Sequence, residues 1–243
     1  MSEPIIDIDG LSFTYPDGSM GLKDISFRVD RGENTAVIGP NGAGKSTLLL
    51  HLNGVLRGTG KVRVLGREIA KKDLPWIRGR VGIVFQDPND QLFMPTVYED
   101  VAFGPLNKGL PHEEVRRRAM SMLARFHLEG SKDKDPSHLS LGERKKAALA
   151  TALVTDPRIL VLDEPMVSLD PGSRRMFLDL LKGLNQTLLV ATHDMDLALD
   201  LCPRAVLMAA GRVVIAGKTP ELLRNRDLME SYSLEVPFRL RTT

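Results

Sequence analysis

Nine residues, Gly39 to Thr47, read GPNGAGKST and stand between the apolar run TAVI and the apolar segment LLLHL. Their spacing is that of a phosphate-binding loop, G-x-x-x-x-G-K-[ST]. Gly42 and Gly44 let the backbone turn so that successive N–H groups face phosphate oxygens. The helix expected next adds the positive end of its dipole. Lys45 would then place its ammonium on the β- and γ-phosphates, and the Ser46 hydroxyl could coordinate Mg²⁺.

Hydrolysis of a nucleoside triphosphate also needs an acidic metal ligand and a group that orients water. RILVLDEP supplies both, because four apolar residues form a buried strand and Asp163 and Glu164 emerge at its end. Asp163 can hold Mg²⁺ through the shell that Ser46 begins, and Glu164 can orient or deprotonate the attacking water. His193 ends a further apolar strand, TLLVATHD. In a parallel sheet the strands' C-terminal ends receive the ligand, so a neutral imidazole there could sense the γ-phosphate. The other histidines, His51, His112, His127 and His138, form no pattern with Cys202 and read as structural.

The elements that must position these groups follow from apolar patterning. IIDIDGLSFTY, KDISFRVDRG, ENTAVIG and GKVRVLGREI read as strands separated by Gly and Asp turns. LPHEEVRRRAMSMLARFHL reads as a helix with Pro111 near its start and Glu113 and Glu114 in its first turn. A second helix is expected from near Gly142, and a third over SRRMFLDLLKGL between RILVLD and TLLVATH. Alternating strands and helices predict an α/β fold with a sheet covered on both faces. The chain of 243 residues carries a net charge of +2, too small to argue for nucleic acid or a lipid surface. Its apolar runs fall short of the roughly 20 residues of a spanning helix. The N-terminus shows no basic segment followed by an apolar run, and the single Cys202 fits a reducing compartment.

The set of motifs resembles the ATP-binding cassette (ABC) family across nearly the whole chain. GPNGAGKST, Gln86, LSLGE (139–143), VLDEP, SLD (168–170) and THD (192–194) occur in that family's order and approximate spacing. The resemblance implies a RecA-like core with a mainly parallel sheet (1–90 and 146–225), an antiparallel β part, an inserted helical subdomain (91–145) and a tail (226–243). It also implies two copies closing head to tail on two ATP molecules. In each site Gly39, Pro40, Asn41, Gly42, Ala43, Gly44, Lys45, Ser46 and Thr47 of one chain would face Ser140 and Gly142 of the other. Tyr15 would stack on adenine, Gln86 would approach Mg²⁺ and water, and Asp170 would communicate across the dimer. LSLGE departs from the commonest form at Leu141 and Glu143, and the added charge of Glu143 bears on how firmly the dimer closes.

Residues 85–93, FQDPNDQLF, resemble the energy-coupling-factor and cobalt/nickel importer subfamily. There a short helix after the glutamine lines a groove for membrane subunits. Asp90 and Gln91 would present polar contacts, with Leu92 and Phe93 packing that helix or the partner. The expectation is a peripheral ATPase on the cytoplasmic membrane face, with cobalt or nickel as cargo and no nucleic acid partner. A soluble cassette serving an iron–sulfur cluster scaffold is the alternative. A GTPase would want Asn-Lys-x-Asp, and NKGL at 107–110 lacks the acid.

Overall fold

β1 (Ile6–Thr14) and β2 (Met20–Val29) carry interspersed buried and exposed side chains, as strands with one face on a core do. They pair antiparallel, from Ile6 opposite Val29 to Thr14 opposite Met20. That hairpin starts β2 three residues before the KDISFRV run that marks it in the sequence. β3 (Thr35–Ile38) is buried at every position and leads through the glycine loop into α1 (Lys45–His51). The run GKVRVLGREI divides into β4 (Thr59–Val64) and β5 (Arg67–Glu68). Leu65 and Gly66, left-handed at φ 53° and 75°, make the turn between them. β2, β1, β4 and β5 form one antiparallel sheet. α2 (Leu74–Arg78) follows.

The computed structural model describes residues 3–241 and divides into two compact units. One is formed by the chain up to Arg78 and from Asn185 onward, the other by Gly79–Leu184. The second unit opens on β6 (Val81–Val84). Three helices come next: α3 (Val97–Asn107), α4 (His112–Arg125) and α5 (Leu141–Leu153). α4 buries Val115, Ala119 and Leu123, spaced four apart on one face, with acidic residues in its first turn and Arg125 in its last. β7 (Ile159–Asp163) is wholly buried and pairs parallel with β6. α6 (Pro171–Lys182) starts two residues ahead of its apolar pattern, because Asp170 caps it by accepting from the Gly172 and Ser173 amides.

Back in the first unit, β8 (Thr187–Thr192) is buried throughout and leads into α7 (Met195–Leu201). β9 (Arg204–Ala209) and β10 (Arg212–Lys218) follow. β3 lies between β8 and β9, parallel to both, and β10 closes the edge antiparallel. Such fully buried strands are the mark of parallel pairing covered on both faces. α8 (Thr219–Arg224) and α9 (Arg226–Ser231) come last. The C-terminal segment folds back: Arg239 binds Asp200 at 2.8 Å and Asp196 at 3.2 Å on α7. Thr242 and Thr243 of the expected tail lie outside the described residues, as do Met1 and Ser2 of the N-terminal segment. Mainly parallel strand pairs, an antiparallel β part and helices inserted between β6 and β7 make this the expected RecA-like α/β architecture.

Candidate functional site

The phosphate loop is built where no side chain could be tolerated at its entry and exit. A Cβ at Gly39 (φ 152°) would stand 2.1 Å from the Met208 carbonyl oxygen, and one at Gly44 (φ 96°) 2.7 Å from that of Gly21. Glycine meets both the close approach and the left-handed backbone. The Lys45 ammonium donates to the carbonyls of Gly39 (2.8 Å) and Pro40 (3.1 Å), folding the side chain over the loop it follows. Ser46 is exposed in the first turn of α1, whereas Thr47 is buried.

Tyr15, just past β1, joins this loop through its hydroxyl, which lies 2.7 Å from the Thr47 hydroxyl. Phe13 meets the Tyr15 ring edge-on at 4.9 Å and the His51 ring at 5.0 Å. His51 in turn donates from Nδ1 to the Thr47 carbonyl at 2.8 Å. His193 is exposed at the end of β8. With Pro40 and Asn41 it borders a cavity of about 660 Å³, whose further walls include Asp194, Leu234 and Phe238. The first unit thus brings together the loop, the aromatic ring and the histidine.

The second unit holds the remaining candidates. Asp163 ends β7 and Glu164 follows it, both buried. Glu164 is left-handed at φ 43°, a strain of about 1–3 kcal/mol for a non-glycine residue. Ser140 caps α5 in a reciprocal box with Glu143. The Glu143 carboxylate accepts from the Ser140 amide (2.9 Å) and hydroxyl (2.7 Å), which hold its pKa below the ordinary value. Gly142 faces Ser173, whose hydroxyl would lie 3.3 Å from an added Cβ. The Ser173 hydroxyl and amide, with the Gly172 amide, lower the pKa of Asp170. Ser140, Gly142 and the Asp170 turn therefore share one region of this unit.

Gln86 is exposed just beyond β6, and a short 3₁₀ turn over Pro88–Asp90 follows. Gln91 departs from the expectation of a partner-facing polar contact, since its side-chain amide is engaged within its own unit. Its amide nitrogen donates to the Ala148 carbonyl and the Thr151 hydroxyl, both at 2.7 Å, and its oxygen accepts from the Phe85 amide at 3.1 Å. The 3₁₀ turn swings Gln91 back against α5, where three polar groups need partners. Leu92 packs inward, but Phe93 is 63% exposed and meets Phe103 edge-on at 4.9 Å. The backbone of Phe93 and Met94 is anchored by Asp100, whose carboxylate accepts both amides at 3.0 and 3.1 Å. Burial pushes the pKa of Asp100 up.

Sequence reasoning missed Lys145, a buried lysine in α5 whose ammonium donates to the Gln86 carbonyl at 3.1 Å. A lysine in the pair KK reads as part of a solvated face. Only its place five residues beyond Ser140, beside the buried Ala148 and Leu149, hints otherwise.

Comparison with known proteins finds relatives over most of the chain. The ABC transporter family profile matches residues 22–167. The energy-coupling factor transporter ATP-binding protein EcfA of Methanocaldococcus jannaschii is 44% identical over 239 residues, spanning 96% of this chain and 86% of that one. The solved structure of cbiO1 from Clostridium perfringens, part of the ABC transporter complex cbiONQ, superposes with a TM-score of 0.82 at 38% identity over 97% of each chain. A dimeric ATP-binding cassette in a post-hydrolysis state with ADP and Pi gives a TM-score of 0.79 at 29% identity, covering 88% of this chain and 98% of that one. On the phosphate loop, the strand-borne acidic pair and this similarity together, the chain belongs to the ABC transporter family as an ATP-hydrolysing, ATP-binding protein.

Proposed function

We propose that the chain is the motor subunit of an energy-coupling-factor type importer for cobalt, with nickel as the nearest alternative cargo. One observation carries the reading beyond ATP hydrolysis: the uncovered Phe93–Phe103 pair directly after the glutamine segment. This pair closely follows exposed Asp87, Asn89 and Asp90 in the chain, and an apolar patch with polar neighbours is a surface suited to a helix from a membrane partner. The likeness to EcfA and to cbiO1, a part of cbiONQ, supports it. Among the described residues no helix is long and apolar enough to cross a membrane. On the likeness to EcfA and cbiO1, the chain would work as a peripheral subunit on the cytoplasmic face.

In this reading Tyr15 stacks on adenine and Gly39–Thr47 cradle the phosphates. Ser140 and Gly142 of a second copy close over the γ-phosphate, with Asp170 linking the two copies. Ser46, Asp163 and Gln86 would hold Mg²⁺; hydroxyl, carboxylate and amide oxygens form the hard donor set that this ion takes beside nucleotide phosphates. When bound, the ion neutralises charge developing on the phosphate oxygens. Glu164 takes the proton of the attacking water, and His193 contacts the γ-phosphate and registers its loss. Reopening of the dimer then moves the docking segment. Cobalt accumulation in cells lacking the chromosomal copy tests the reading. Restoration by the wild type and not by Glu164→Gln is expected; accumulation indifferent to the gene would overturn the cargo.

A further inference from the structure

One face of α5 holds the glutamine segment at both of its ends. At the first end the Lys145 ammonium donates to the Gln86 carbonyl at 3.1 Å. At the other, Gln91 reaches the Ala148 carbonyl and the Thr151 hydroxyl while accepting from the Phe85 amide. The Thr151 hydroxyl also donates to Ala148, at 2.8 Å, so these groups form one network. Lys145, Ala148 and Thr151 follow at intervals of three along the helix, on adjoining positions of a single face.

This arrangement is costly for a surface loop. Lys145 is only 4% exposed, and a buried ammonium is retained only where partners compensate for lost water. Burial lowers its pKa, opposed by the carboxylates of Asp87 and Glu164. The charge thus lies among the groups of the glutamine segment and the acid expected to serve water. At the head of the same helix, five residues before Lys145, stands Ser140 with its capping box.

We propose that Lys145 and Gln91 are positioning residues that bind the glutamine segment to α5, so that Gln86 and the Ser140–Gly142 turn move as one piece during ATP turnover. The inference rests on the roles read above for Gln86 and Ser140. A displacement of the Phe93 surface would reach the closing turn through these bonds, without a separate signal along the strand.

The test uses the full chain and ATP. Lys145→Met and Gln91→Leu preserve volume and remove the bonds. Each is expected to lower kcat about tenfold, the order that slight misplacement of a reacting group costs. ATP affinity should stay near wild type, Tm should fall only by the few degrees that lost hydrogen bonds cost, and Lys145→Arg should recover most of the lost turnover. The double variant should be no worse than the poorer single, because both cut one brace. Slowed turnover in Gln86→Ala with unchanged turnover in both brace variants would overturn the proposal; unchanged turnover in Gln86→Ala would overturn the reading beneath it. Loss of ATP binding and Tm in step with kcat would reduce the brace to a folding role. Should a variant not fold, hydrogen exchange of the wild type decides: on ATP addition the amides of 85–92 and 141–144 should change protection together, and independent change would contradict the proposal.

Discussion

The hydroxyls of Tyr15 and Thr47 lie 2.7 Å apart, fastening the aromatic ring after β1 to the helix that leaves the phosphate loop. Phe13 packs edge-on against Tyr15 and His51, so the ring has little freedom to turn. In the proposed role of Tyr15 as the adenine platform, a ring fixed before ATP arrives loses less entropy on binding.

Tyr15→Phe should therefore weaken ATP binding while sparing the stacking face. A neutral hydrogen bond contributes about 0.5–1.5 kcal/mol, so affinity should fall about two- to tenfold. Turnover at saturating ATP should not change. Titration of ATP into both proteins checks this; equal affinities would show that the hydroxyl does nothing for the platform.

His51 makes stability depend on pH. Its Nδ1–H is committed to the Thr47 carbonyl, and Nε2 is buried with no hydrogen-bond partner among the described residues. Burial lowers its pKa below the ordinary 6.5, opposed by the Thr47 bond. The unfolded chain therefore binds the proton more readily, and this stabilisation is complete above the unfolded value and lost as pH falls through the folded one. Between about pH 7.5 and 5 the Tm of the wild type should fall more than that of His51→Leu. Parallel curves would contradict it.

Glu143 holds the Ser140 hydroxyl with its carboxylate, and that hydroxyl is the group expected to meet the γ-phosphate of a second copy. Glu143→Gln keeps a residue able to complete the capping box and removes the negative charge. The ATP-bound dimer, measured by size exclusion in a Glu164→Gln background, should form at several-fold lower protein concentration, about 1 kcal/mol for one screened charge. Weaker dimerisation would mean that the carboxylate is needed to hold Ser140.

Much of this arrangement is legible in the sequence because backbone demands restrict residue types. Gly39 and Gly44 admit no side chain, and TAVI, ILVLD and TLLVAT are apolar because they are buried on both faces. Boundaries are less legible. β2 begins early because its register with Thr14 extends it, and β4 ends early because Leu65 takes a left-handed turn that apolar patterning does not reveal. Gln91 and Lys145 are hidden for a different reason. Each is polar and reads as surface, and only the 3₁₀ turn over Pro88–Asp90 and the packing of α5 turn them inward. The converse holds for Phe93, whose apolar side chain is left uncovered.

In the proposed mechanism this uncovered surface couples ATP hydrolysis to a membrane partner. Affinity purification of the tagged chain from gently solubilised native membranes, beside Phe93→Asp, tests it most directly. Multi-span membrane proteins should accompany the wild type and be lost with Phe93→Asp, which still binds ATP. Recovery of soluble scaffold proteins alone, or of the same membrane proteins with both forms, would contradict it.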